Sequence, residues 1–180
     1  SRLTAQYHHI GEFRRGGDRL DRPAHEALLA EQTDHSIDGG SLAFDVSSAD
    51  LRNRFNLYAS FQNTARKSYY GSHEDSKAYG TTHDITVASG AQYVRTFGRL
   101  GFMPAELTLG AEYSYDGLED ESLGYGIRTD QNVHIFSAYL QNEWKTGRWS
   151  LLLGGRVDKH NLVAHAIFSP RVNVRYNPTE

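Results

Sequence analysis

Residues 107–116 alternate strictly: Leu107, Leu109, Ala111, Tyr113 and Tyr115 take one parity, Thr108, Gly110, Glu112, Ser114 and Asp116 the other. Successive side chains of an extended chain point to opposite faces, so this segment presents one apolar and one polar face. A helix would scatter the same apolar set around its circumference. The period of two returns at 148–158, where Trp149, Leu151, Leu153 and Val157 oppose Ser150, Arg156 and Asp158. At 166–177 Phe168, Val172, Val174 and Tyr176 oppose Ser169, Arg171, Asn173 and Arg175. Segments 54–62, 83–97 and 133–144 repeat the pattern, and 2–13 and 37–46 carry it more weakly. The spacing predicts an all-β chain of eight strands in an antiparallel up-and-down meander.

Connections of two kinds separate these segments. Short ones lie near Ser47–Asn53, Gly98–Met103 and Lys145–Arg148, and longer polar ones near Gly16–Thr33, Gly71–Thr82, Gly117–Asp130 and His160–His165. A meander puts alternate turns at the same end, so one end carries short turns and the other long loops. Transmembrane β-barrels are built this way. The one helical suggestion, Ala24–Glu31, falls inside the first long loop.

The aromatic positions fit the same scheme. Phe97, Trp144, Trp149 and Tyr176 sit at the short-turn ends of their segments, and Tyr69, Tyr70, Tyr113 and Tyr115 towards the long-loop ends. Two aromatic bands bounding a Leu/Val/Ala zone suit a membrane, because amphipathic rings settle at its interfaces. The competing reading is a secreted β-sandwich or jelly-roll module for glycans, with the aromatics as core and sugar platform. Predicted strands of about 10–16 residues count against it, since soluble strands run ~5–6. Charges at Glu112, Asp116, Arg156, Arg171 and Arg175 on the other face suit a wet lumen. Pro170 is the misfit, because proline cannot donate to a ladder and needs a bulge or a ladder end.

Composition closes off other classes. With 19 Lys+Arg against 22 Asp+Glu in 180 residues, the net charge of −3 excludes the basic stripe of a nucleic-acid binder. No apolar run approaches the ~18 residues of a membrane helix, which leaves a barrel open. There is no cysteine, so disulfides, zinc-thiolate centres and thiol catalysis are excluded. Ser1 in place of Met and the ending Asn-Pro-Thr-Glu suggest a piece of a longer chain.

Candidate chemistry is sparse. His8 and His9 are adjacent, so in a strand they point apart and do not chelate together. His160 and His165 flank a loop without a carboxylate at ligand spacing. Asp116, Glu119, Asp120 and Glu121 lack the spacing and fixed glycine of a calcium loop. Glu112 and Asp116 share a face, as a glycosidase pair does, yet as lumen carboxylates they equally satisfy Arg156 or Arg171. No nucleophile motif or phosphate loop occurs, so neither an enzyme, a metal site nor a cofactor is expected.

Several segments together resemble a family. They are Glu12-Phe-Arg-Arg-Gly-Gly17, Ser68-Tyr-Tyr-Gly71, Glu112-Tyr-Ser-Tyr-Asp-Gly-Leu-Glu119, Leu140-Gln-Asn-Glu-Trp144, Gly155-Arg-Val-Asp158 and Ser169-Pro-Arg-Val-Asn-Val-Arg-Tyr-Asn-Pro178. They resemble the barrel of a TonB-dependent outer-membrane receptor, and the last three are the most specific. Ser-Pro-Arg recurs at this place in the family, which gives Pro170 a context. The resemblance implies a 22-stranded barrel around a plug, importing a scarce ligand such as an iron-siderophore, haem, cobalamin or a glycan. It implies TonB, outer-membrane lipid and a small-molecule cargo as partners, and the outer membrane of a Gram-negative cell as location. Residues 1–180 would be a wall segment without plug or TonB box. Arg14, Arg15, Tyr69, Tyr70 and His73, at loop ends, are the expected ligand contacts, since Arg and Tyr engage anionic or aromatic groups. Cut from its barrel, the segment is expected to self-associate.

Overall fold

The computed structural model describes residues 1–178. Eight strands run β1 (Arg2–Gly17), β2 (Leu29–Ser47), β3 (Asn53–Ser72), β4 (Tyr79–Leu100), β5 (Met103–Ser122), β6 (Ile127–Lys145), β7 (Trp149–His160) and β8 (Ile167–Tyr176). Each pairs antiparallel with the next, giving one sheet in the order β1 to β8. The sheet is not closed: β1 and β8 each keep a free edge. A sandwich needs a second sheet, and these strands form only one.

Register carries each parity across the sheet, since directly paired residues share a face. Val46, Phe55, Tyr93, Leu109 and Leu140 form one continuous apolar row. Leu3, Phe44, Leu57, Ala91, Ala111, Ala138, Val157 and Phe168 form another. Leu107, Leu109, Leu151, Leu153, Val172 and Val174 all lie on this face, and Glu112, Arg156, Arg171 and Arg175 on the opposite one.

The apolar zone has two aromatic limits. Towards the long loops it ends at the row Tyr7, Phe61, Tyr115; towards the short turns it ends at Phe97 and Trp144, with Trp149 packed on Tyr176 at 4.5 Å between ring centroids. Ten residues separate Ala105, in the lower row, from Tyr115. At ~3.3 Å per residue and a ~45° tilt this is ~23 Å of height, against ~25 Å for the apolar band of a membrane barrel.

Beyond the upper row the strands continue, which differs from the sequence reading. The loops expected at Gly71–Thr82 and Gly117–Asp130 are largely ladder. β4 already begins at Tyr79, β5 runs on to Ser122 and β6 resumes at Ile127, so only 73–78 and 123–126 lie between strands. Where water reaches both faces of a strand neither has to be apolar, so the alternation fades while the hydrogen bonds persist. The helix expected at Ala24–Glu31 shrinks to a 3-10 turn, Ala24–Glu26, because β2 already begins at Leu29. Pro170 needs no bulge. It lies in the edge strand β8 opposite Gly155, where a missing donor is tolerated.

Candidate functional site

The polar face is cross-tied through β5. Glu106, Glu112, Asp116 and Asp120 share its inward parity, and three of them hold an arginine from another strand. Arg54 on β3 donates to Glu106 at 2.6 Å, and Arg66 on β3 to Asp120 at 3.3 Å. Both reach across β4, a span of two strand spacings or ~10 Å, which suits the longest cationic side chain. The Thr82 hydroxyl, which lies between Arg66 and Asp120 in the row, also donates to Asp120. From the other side, Arg156 on β7 donates to Glu112 at 2.7 Å, Asp158 at 2.8 Å and Ser137 at 2.9 Å.

Two glycines make room for rings on this wall. Tyr58 reaches over Gly90 to Glu112 at 3.4 Å, and Tyr139 reaches over Gly110 to Gln92 at 2.9 Å. A Cβ at Gly90 would come within 2.7 Å of the Tyr58 ring, and one at Gly110 within 2.5 Å of the Tyr139 ring. Glu112 is therefore engaged by Arg156 and Tyr58, and the face it shares with Asp116 is a hydrogen-bonded wall. Arg171 and Arg175 stand exposed on the same face of β8 and take part in no ion pair among the described residues.

At the long-loop end the wall opens into two grooves that share Glu31 and Tyr70. One, of about 400 Å³, is lined by Arg14, Arg15, Glu31, His35 and Tyr70, among others. The other, of about 500 Å³, runs from Leu29 and Tyr70 to Asp75 and Tyr125. The structure thus brings together Arg14, Arg15 and Tyr70 of the five expected contacts. Arg14 pairs with Glu12 at 2.7 Å. Arg15 belongs by register to the row of Gln32 and Tyr69, and its three guanidinium nitrogens are buried without a hydrogen-bond partner among the described residues.

Tyr69 and His73 are placed differently. Tyr69 has no exposed surface; it faces away from Tyr70, under the first loop, and its hydroxyl donates to the Asp75 carbonyl at 3.0 Å. His73 is exposed in the turn after β3, with Nδ1 3.1 Å from the Ser72 hydroxyl. Glu31, His35 and Tyr125 line the grooves and were missed by sequence reasoning. The signal for Glu31 and His35 is register alone, since Glu31 pairs with Tyr70 and His35 with Arg66.

Outside the sheet, Asp18 accepts the Leu29 N–H at 2.9 Å, which holds its carboxyl below the usual aspartate range. Asp50, in the turn after β2, is lowered likewise by the Ser48 hydroxyl and then the Arg52 N–H.

Comparison with known proteins agrees with the fold. The chain is similar to the siderophore receptor PirA from Acinetobacter baumannii, with a TM-score of 0.68 and 15% identity, covering 99% of this chain and 32% of that one. It is similar also to the ferric citrate transporter FecA in its unliganded form, with a TM-score of 0.53 and 14% identity, covering 98% of this chain and 32% of FecA. The chain thus spans about a third of the length of these receptors. No curated protein matches it in sequence. A family model described as TonB dependent receptor-like, beta-barrel, matches residues 4–180, and the chain belongs to that family.

Proposed function

We propose that residues 1–180 form a wall segment of an outer-membrane receptor that imports a scarce ligand with energy delivered through TonB. The observation that carries this reading is the apolar zone of ~23 Å between two aromatic rows, backed by a charged inner wall. In this reading the outer face meets lipid, the inner face lines the lumen, and the rim samples the ligand. Plug, TonB box and remaining strands belong to the rest of the receptor. Arg14, Tyr70 and His73 meet the ligand directly, while Arg15 and Tyr69, which share the opposite face, position them from behind. The cargo class is a siderophore-bound iron, haem, cobalamin or a glycan; the siderophore receptor among the similar structures favours the first.

The chemistry of the wall supports transport rather than catalysis, because Glu106, Glu112 and Asp120 are each spent on an arginine. The test has two parts. Epitope tags at Arg22 and Ser76 of the full-length receptor should be reached by antibody on intact cells, and a tag at Thr146 only after permeabilisation. A strain lacking the receptor should lose growth on one of the four cargo classes as sole source, and the gene should restore growth only where TonB is intact. Growth on all four without the receptor, or surface exposure of Thr146 alone, overturns the reading.

A further inference from the structure

Among the described residues the buried apolar cluster lies outside the membrane band, at the rim. It joins Ala24 and Ala27 of loop 18–28 to Ala30, Tyr69 and Ala78, with Tyr79 against it. Ala27 and Tyr69 have no exposed surface. Loop 73–78 is bonded to loop 18–28 through its backbone: His73 N donates to Leu28 O at 2.8 Å and Glu74 N to Ala27 O at 3.1 Å. Arg19 Nη1 reaches both Glu74 at 2.7 Å and the Glu26 carbonyl at 2.8 Å, and His25 Nδ1 meets the Tyr79 hydroxyl at 2.8 Å.

Backbone conformation agrees. Arg19, His73 and Glu74 have φ of 46°, 59° and 58°, a left-handed region that side chains other than glycine enter only when their surroundings hold them there. All three lie at the junction between the loops. The third tip, Leu123–Tyr125, is built differently. It buries no residue, its Gly126 N–H bonds back within the tip to Leu123 O at 3.2 Å, and it rests on Ala78 through Gly124.

We propose that loops 18–28 and 73–78 are a single rigid block on the rim, and that the Leu123–Tyr125 tip is not part of it. The block rests on geometry alone; its use as a fixed jaw for ligand rests on the receptor reading. A ligand held by His73 is then held by both loops, although only one of them touches it.

Hydrogen exchange on the full-length receptor in detergent micelles tests this without any ligand. The His73 and Glu74 amides should exchange at least tenfold more slowly than those of Leu123–Gly126. Ala27→Glu, which puts a charge into the cluster of the other loop, should speed the His73 and Glu74 amides at least tenfold and leave the tip unchanged. If Ala27→Glu opens loop 18–28 while those two amides keep their rate, the loops are independent and the proposal fails. Should that variant not fold, spin labels at Arg22 and Ser76 of the otherwise unchanged receptor decide: one narrow distance distribution supports the block, a broad or split one overturns it. Either failure would leave the tagging and growth results of the receptor reading untouched.

Discussion

Arg156 and Glu112, 44 residues apart, meet at 2.7 Å across β6. Strand order and register create this contact, since Glu112 pairs with Ser137 and Ser137 with Asp158, two residues from Arg156. The pair is partly solvated, with side chains 41% and 31% exposed, so screening limits its worth. Arg156→Ala should destabilise the folded receptor by about 1–2 kcal/mol, and the Arg156–Glu112 coupling in a double-mutant cycle should be about 0.5–1 kcal/mol. Urea unfolding in detergent reads both. A coupling of zero would mean that the wall is ordered by its ladder and not by its ion pairs.

The outer face should be intolerant of charge near mid-height and the inner face should not. Leu109 is six residues below Tyr115 and four above Ala105, which places it near the middle of the apolar zone. Leu109→Arg should cost about 2–4 kcal/mol of folding stability in lipid vesicles, whereas an arginine on the lumen side costs far less. Gln141→Arg, at the same height on the inner face and half-buried, is the matched control. Equal losses would show that the apolar face does not meet lipid.

Much of this was legible in the sequence, and on the receptor reading the reason is the membrane. Where Leu109 looks outward and Glu112 inward, two solvents impose two chemistries and the period of two is plain. Above Tyr115 the same ladder runs on through Leu118 and Asp120, but water lies on both sides and the pattern stops reporting strands. Partners were less legible than faces. Arg66 and Asp120 are 54 residues apart, and nothing short of the full register brings them together. Tyr69 looked like a rim contact because it neighbours Tyr70, and its burial depends on alanines of a loop whose composition suggested a helix. The family resemblance, in contrast, lay in short motifs that survive without register.

Asn142 contradicts its surroundings. It stands between Leu107 and Leu153 on the apolar face, buried, and neither its amide nitrogen nor its oxygen has a hydrogen-bond partner among the described residues. An unpaired buried amide costs about 1–3 kcal/mol, so Asn142→Leu should raise the stability of the full receptor by an amount of that order. Urea unfolding in detergent measures it. Destabilisation instead would reveal a partner for this amide on another part of the receptor.

Acid should loosen the rim through Asp18. Its carboxylate is favoured in the folded state by the Leu29 N–H, so its folded pKa lies below the unfolded one. The stability it contributes is complete above the unfolded value of about 3.9 and is lost as pH falls through the lower folded value. The mobility of a spin label at Arg22 should therefore rise as pH is taken below about 4. Asp18→Ala should be mobile throughout and show no such step. A step of equal size in that variant would assign the transition to another group.

The isolated 180-residue chain should not persist as a monomer in detergent-free buffer. Both β1 and β8 carry an unpaired edge of N–H and C=O groups, a template for pairing with another chain. The apolar face is bare as well: Leu3 is 71%, Leu57 48% and Val172 69% exposed, all on one side of the sheet. Soluble monomers rarely leave contiguous apolar patches above a few hundred Å² uncovered. Closure into an eight-stranded barrel would satisfy the edges, but such a barrel has an interior just filled by side chains. Here the inward positions include Arg54, Arg66 and Arg156 with their carboxylates, and Arg171 and Arg175, and these charges need water. Light scattering should therefore report association that detergent reverses, and a monomer of 20.2 kDa without detergent would show that this sheet closes on itself.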